Sequence, residues 1–187
     1  MMNLGDMKTV IFSTLLLFCG LSFVHGQTNY YQGRTTVSGD SVTYRVKVTS
    51  TGAYRIDNIH NKKAGTPLRM LDGTLADGSK GYGATQNQPY EQTLYRAVKE
   101  VLPDSVLQAL KNAEEQMYIG LIVEHDGRVS EVSFIFDDDS LLTAIPPDQY
   151  YSIEQKIKRY TTFTLWSNSK DVQFVKMTGI LSFKRLK

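Results

Sequence analysis

Cysteine is almost absent from the sequence, since Cys19 is the only one among 187 residues. A disulfide within the chain and a zinc site made of several cysteines are therefore excluded. If the N-terminal segment that carries Cys19 is removed, as argued below, no cysteine nucleophile remains either. The remaining chain of about 160 residues has to be stabilised by a hydrophobic core, and it is long enough to form one.

The chain also lacks a strong excess of one charge. Lysine and arginine number 21, aspartate and glutamate number 19, and the formal net charge is +2. Nucleic acids and anionic membranes are bound by clearly basic surfaces, so we expect no nucleic-acid partner. The five prolines do not gather into a spacer.

The one long apolar run lies at the N-terminus. It covers Val10–Val24, which fits a signal-peptide core and is shorter than the roughly 20 residues that span a bilayer. Val24 and Gly26 are small enough for the −3 and −1 positions of a cleavage site before Gln27. The sequence therefore predicts a signal peptide over residues 1–26 and an exported protein, either periplasmic or secreted to the cell surface.

A retained membrane anchor and a lipoprotein attached through Cys19 are the two alternatives to cleavage. Phe18 is bulky where a lipobox has Gly, Ala or Ser, which favours cleavage over lipidation. After cleavage we expect no transmembrane segment, because no second apolar run of sufficient length follows.

Residues 27–89 predict strands and a long polar loop. Ser41–Val48 alternates apolar and polar residues, which is typical of a half-buried strand, and Tyr54–Ile59 has a weaker form of this pattern. Asn61–Pro89 has no periodicity, and a segment of this length is either functional or mobile. This part of the chain is either a unit of its own or joins residues 90–187 in a single domain.

Residues 90–187 alternate between helical and strand patterns. Tyr90–Leu102 has helical spacing, Pro103 starts a second helix and Pro146-Pro147 opens a third. Met117–Phe136 alternates with a period of two, and Asp171–Phe183 reads as a final strand with Gly179 as a candidate bulge. We therefore expect an α+β fold, with a mainly antiparallel sheet and helices packed on one face.

Asp126-Gly127 lies between two alternating runs and predicts a tight hairpin turn of type I′. A two-residue loop places Leu121 opposite Val132, so that the apolar residues of both strands share one face. Gly127 needs a positive φ in such a turn.

From Met117 onward the chain resembles the C-terminal domain of TonB and its relatives. The resemblance rests on a hairpin, a helix and a closing strand, which read MYIGLIVEHDGRVSEVSFIF, YYSIEQKIKRYTTF and MTGILSFKRL. It implies the order α-β-β-α-β in the second half and a three-stranded sheet with the closing strand at an edge. The Pro-rich spacer of TonB is missing, and Tyr160-Thr161-Thr162 replaces its Tyr-x-Pro, so energy transduction is not implied.

With its signal segment and its length, the whole chain also resembles uncharacterised secreted proteins of Bacteroides and related bacteria, which form a domain of unknown function. This resemblance implies a Gram-negative envelope and no particular activity.

The candidate catalytic and metal-binding residues fit poorly to known patterns. His125 and Asp126 are adjacent, and neighbours on a strand point to opposite faces, unlike a catalytic pair. Asp137–Asp139 lacks the spacing of a calcium loop. We interpret Glu124 and Glu131 as two surface carboxylates and not as an acid–base pair. We therefore predict a protein that is not an enzyme and has no cofactor and no bound metal. The alternative is a hydrolase, in which a cleft would bring His60 or His125 against a carboxylate and a hydroxyl.

The closing strand supplies the predicted binding site, because an edge strand exposes unpaired N–H and C=O groups that recruit an extended peptide. The expected function is that of an exported, non-enzymatic interaction module for an unknown protein or peptide. A glycan-binding accessory protein is the alternative, since the chain has 11 tyrosines and one tryptophan. The residues of the predicted edge are Met177, Gly179, Ile180, Leu181, Ser182 and Phe183.

Overall fold

The computed structural model describes residues 28–186, so the predicted signal peptide and its cleavage site lie outside the described residues. Within this range no helix is long and apolar enough to cross a membrane. The described chain forms eight strands and three α-helices. They are β1 (Thr36–Ser38), β2 (Thr43–Val48), β3 (Tyr54–Asn58), β4 (Ala84–Gln86), α1 (Leu94–Lys99), α2 (Asp104–Asn112), β5 (Gln116–Val123), β6 (Val129–Phe136), α3 (Pro147–Tyr160), β7 (Phe163–Leu165) and β8 (Val175–Ser182).

Six strands form one sheet in the order β1–β2–β3–β6–β5–β8, and β4 pairs with β7 in a separate ribbon. Every pairing is antiparallel. Because β3 pairs with β6, strands from both halves of the chain belong to the same sheet. The three-stranded sheet implied by the TonB resemblance is therefore wrong in strand number, although the order α-β-β-α-β is present in the second half.

The helices cover one face of the six-stranded sheet, which confirms the predicted α+β class. Leu94 of α1 packs over Gly179 of β8, and the ring of Tyr150 on α3 lies 4.9 Å from that of Phe134 on β6. The opposite face carries exposed side chains such as Arg45 and Lys47. Alternation along the strands produces this difference, because successive side chains point to opposite faces.

The polar segment that precedes β1 contributes a core residue that the sequence pattern does not reveal. Tyr31 is fully buried, and its ring packs edge-on against Phe136 and Tyr150. Its hydroxyl donates to the carbonyl oxygen of Ile145 at 2.8 Å. A single aromatic residue in a polar segment has no periodicity, so only the folded chain shows that this segment is anchored.

The β5–β6 hairpin has the predicted pairing of Leu121 with Val132, but its turn is longer than predicted. The two agree because the register shifts by one residue between Ile122 and Val123. The Gly127 N–H donates to the Glu124 carbonyl, and the Glu124 N–H donates to the Arg128 carbonyl. The loop is therefore a type I turn closed by a glycine bulge, and not a two-residue type I′ turn. Gly127 has a φ of +79°, so the predicted positive φ is confirmed.

Gly179 is not a bulge, because β5 and β8 pair in continuous register from Gln116–Ser182 to Val123–Val175. A Cβ atom at this position would lie 2.8 Å from Cδ1 of Leu94. The absence of a side chain lets α1 approach the sheet closely. Close approach of another element is, besides a bulge, a common reason for glycine within a strand.

Candidate functional site

The outer edge of β8 is the first candidate site, since β8 is the last strand of the sheet. The Phe183 N–H donates to the Glu115 carbonyl at 2.9 Å. This bond shows which residues of β8 direct their backbone N–H and C=O groups toward β5, because these directions alternate along the strand. The backbone groups of Gly179 and Leu181 therefore point toward β5, and those of Thr178 and Ile180 point away from it. Within residues 28–186, these outward groups of Thr178 and Ile180 have no hydrogen-bond partner.

The C-terminal end of this edge is closed by α1. The Tyr95 hydroxyl lies 3.2 Å from the carbonyl oxygen of Ser182 and 3.3 Å from its nitrogen. The open part of the edge therefore ends before Ser182 and includes Thr178 and Ile180.

The predicted edge residues have different roles in the structure. Gly179, Leu181 and Phe183 are buried and face the core, and Phe183 lies beyond β8 in a short 3₁₀ turn. Met177 is half-buried. Ile180 is 47 % exposed and combines an outward backbone with an outward side chain, so it is the central residue of the candidate site.

The open face of the sheet changes from basic to apolar toward β8. Cross-strand pairing aligns Lys47, Arg55, Ile135, Tyr118 and Ile180 in one row. Tyr118 and Ile180 are the exposed end of this row, at 43 % and 47 %. A strand added to β8 would therefore continue this face beside two apolar side chains.

The segment after β3 is attached to the open face through Glu131 of β6. The N–H groups of Lys62, Lys63 and Ala64 donate to its carboxylate at 2.7 to 3.0 Å. Glu131 is only 8 % exposed, so its interpretation as a surface carboxylate is wrong. Nothing in the local sequence shows that a distant loop supplies three donors to this side chain.

The other residues considered for catalysis or metal binding are separated in the structure. His60, His125 and Asp137–Asp139 are exposed in loops. Among residues 28–186 no group of three or more His, Cys, Asp or Glu side chains is arranged to hold a metal ion.

A polar cluster joins α1 to α3 at Glu100. Its carboxylate accepts hydrogen bonds from Lys156 and Tyr160, both at 2.6 Å, and from Arg96 at 2.8 Å. The Arg96 guanidinium also lies 4.2 Å from the centre of the Tyr160 ring. The bonds from Lys156, Tyr160 and Arg96 lower the pKa of Glu100 from 4.5 to about 2.

This lowered pKa predicts a pH-dependent contribution to stability. A carboxyl whose pKa is lower in the folded state stabilises the fold above its unfolded pKa and loses that effect as the pH falls through its folded pKa. We expect Glu100→Gln to lower the melting temperature at pH 7, and the difference from wild type to shrink between pH 4.5 and about 2. Thermal denaturation of both proteins across this pH range measures the difference in melting temperature. A difference that stays constant with pH would contradict the prediction.

The exposed aromatic residues, on which the glycan alternative depends, lie on three different surfaces. Tyr118 is on the open face of the sheet, and Tyr90 is on the helix side, with its hydroxyl 3.9 Å from the position of a Gly179 Cβ. Trp166 follows β7 on the small ribbon and is 50 % exposed. A sugar-binding surface would therefore be built around one of them.

The fold defines the class of this protein as a two-layer α+β domain with an open antiparallel sheet. No protein-family model and no curated protein matches the chain. Its fold is similar to that of a solved structure, a DUF5043 family protein from Bacteroides uniformis ATCC 8492, with a TM-score of 0.69 and 20 % sequence identity. The match covers 84 % of this chain and 95 % of that one, so it includes both halves. It supports the expected likeness to a Bacteroides domain of unknown function, whereas the resemblance to TonB stays a prediction.

Proposed function

We propose that this chain is an exported, non-enzymatic interaction module that captures an extended peptide by strand addition at β8. The observation that carries the proposal is the pair of unpartnered outward backbone positions at Thr178 and Ile180. Main-chain hydrogen bonds supply affinity in strand addition, and contacts with alternate side chains supply specificity.

The surroundings of the edge favour a single thin strand as the occupant. Tyr95 of α1 reaches the outward groups of Ser182, so the helix layer extends to the edge and leaves little room for another layered domain. Alternate side chains of a bound peptide would lie beside Ile180 on the open face and beside Tyr90 on the helix face.

The charges around the edge favour an acidic peptide. Lys176, Lys184 and Arg185 are exposed at the two ends of the strand. Lys184 pairs with Glu114 at 2.8 Å, but no salt bridge within residues 28–186 neutralises Lys176 or Arg185. Such charges also discourage indiscriminate pairing of the edge.

Amide hydrogen exchange of the isolated protein tests whether the edge is free. We expect the amides of Thr178 and Ile180 to exchange rapidly and those of Gly179 and Leu181 to be protected. Equal protection of all four amides would mean that the edge is already occupied and would overturn the proposal.

A proline substitution tests the binding itself. Leu181→Pro is unsuitable, because Leu181 is buried and its N–H points to β5. Ile180→Pro removes an outward N–H, and proline is tolerated on edge strands in this orientation. Short peptides selected against the wild-type protein from a displayed random library should bind this variant at least about tenfold more weakly.

Ile180→Thr is the matched control, since it keeps the N–H and changes only the side chain. We expect it to retain more affinity than Ile180→Pro. Selected peptides that bind Ile180→Pro as well as wild type, with both variants folded by circular dichroism, would show that β8 is not the binding edge.

A further inference from the structure

The small β4–β7 ribbon has an exposed face that the proposed function does not use. Its pairs are Ala84–Leu165, Thr85–Thr164 and Gln86–Phe163. Ala84 and Phe163 are buried, whereas Thr85 and Thr164 are exposed. The Trp166 N–H donates to the Gly83 carbonyl at 3.1 Å, which adds a further pair on the exposed side.

Trp166 is held flat on this face. A Cβ atom at Gly83 would lie 2.7 to 2.9 Å from three consecutive carbons of the six-membered ring. These nearly equal distances place Gly83 against the flat of the ring and not against its edge. The indole N–H donates to Oγ1 of Thr85 at 3.0 Å, which fixes the rotation of the ring, and half of the side chain stays exposed.

Polar side chains beside the indole are also fixed in place. The Thr164 hydroxyl donates to Oδ1 of Asn87 at 2.8 Å, and Nδ2 of Asn87 lies 3.1 Å from Oγ1 of Thr162. A hydroxyl has one donor and two acceptor positions, and a primary amide has two N–H donors. Thr85 therefore keeps its hydroxyl proton for a ligand, and Asn87 keeps one N–H.

We infer that this face of the ribbon binds a pyranose ring of a neutral glycan. A sugar ring has an apolar C–H face, which suits the electron-rich face of an indole, and hydroxyls at its rim, which suit hydroxyl and amide side chains. None of Trp166, Thr85, Thr164 and Asn87 carries a charge, which favours a neutral over an acidic saccharide. Because all four are already fixed, little entropy is lost on binding.

This inference does not rest on the proposed peptide binding, since the ribbon is not part of the six-stranded sheet. Peptide binding at β8 and glycan binding at Trp166 can therefore be tested separately. Loss of peptide binding in Ile180→Pro says nothing about Trp166, and loss of glycan binding in a Trp166 variant says nothing about β8.

The single tryptophan of the chain makes fluorescence a reporter of this site alone. We would titrate the protein with soluble neutral oligosaccharides based on glucose, xylose, mannose and galactose, and with an oligogalacturonate as an acidic comparison. We expect a saturable change in Trp166 emission with at least one neutral series and none with the acidic one. No response to any neutral series, or a response only to the acidic one, would overturn the inference.

Variants examined by calorimetry separate stacking from a general effect on the fold. Trp166→Ala should weaken binding of the responding saccharide by about tenfold or more. Gly83→Ala, which lifts the indole, and Thr164→Val should also weaken binding, whereas Tyr118→Ala should not. Trp166→Phe keeps a smaller ring and should retain part of the affinity, so the test does not depend on Trp166→Ala folding. Wild-type affinity in the folded Trp166 and Gly83 variants would overturn the inference.

Discussion

Replacing Gly127 by alanine is expected to lower the free energy of unfolding by about 3–5 kcal/mol. The φ of +79° at this residue is costly for any side chain. In addition, a Cβ atom would overlap the carbonyl oxygen of Phe163, which belongs to the backbone of β7 and has little freedom to move. The Phe163 N–H donates to the Gly127 carbonyl at 2.8 Å, so the turn and β7 would have to separate.

Gly52 provides the matched control for this substitution. It has a φ of +90°, but no heavy atom lies within 4 Å of its virtual Cβ. Gly52→Ala should therefore cost only the backbone strain, about 1–2 kcal/mol. Urea denaturation of both variants measures the difference. Equal losses would mean that β7 moves away from the turn without cost and that the contact does not contribute to stability.

Replacing Glu131 by glutamine is expected to cost about 2–3 kcal/mol. The two carboxylate oxygens receive three backbone N–H groups from Lys62, Lys63 and Ala64. A glutamine offers only one acceptor oxygen, and its NH₂ group would face a donor. The segment after β3 would then be held less tightly on the open face of the sheet.

Glu124→Gln is the matched control for this charge. Glu124 lies on the same hairpin and pairs with Lys63, but that pair is partly exposed, so its loss should cost less than about 1 kcal/mol. Urea denaturation gives the stabilities, and amide exchange should accelerate at Lys62–Ala64 only in Glu131→Gln. Similar stabilities of the two variants would show that the three N–H groups are satisfied equally well by water.

Several features of the candidate sites follow from local sequence. Alternation in β2, β5 and β6 predicts which residues face the core, and Asp126-Gly127 predicts a turn with a positive φ. The closing strand and its exposed Ile180 follow from the same period of two. These features depend only on neighbours along the chain, because the pleat of a strand fixes which side chains share a face.

Other features depend on residues that are distant in sequence. Gly127 of the hairpin turn lies against the backbone of Phe163. Gly83 supports Trp166, and Leu94 packs over Gly179. Each of these contacts joins two segments whose sequences do not indicate that they meet. The sequence therefore shows where the glycines are but not why a side chain is excluded at each of them.

The sequence by itself determined the α+β class, the position of most strands and helices, and the reliance on a hydrophobic core without disulfides. Only the tertiary structure decided that the sheet has six strands and that, along β8, the backbone groups of Thr178 and Ile180 stay free. Periodicity records which face of a segment is buried. The order of strands depends instead on which distant faces pack together, and loop-closure entropy varies too slowly with loop length to select one order from the sequence alone.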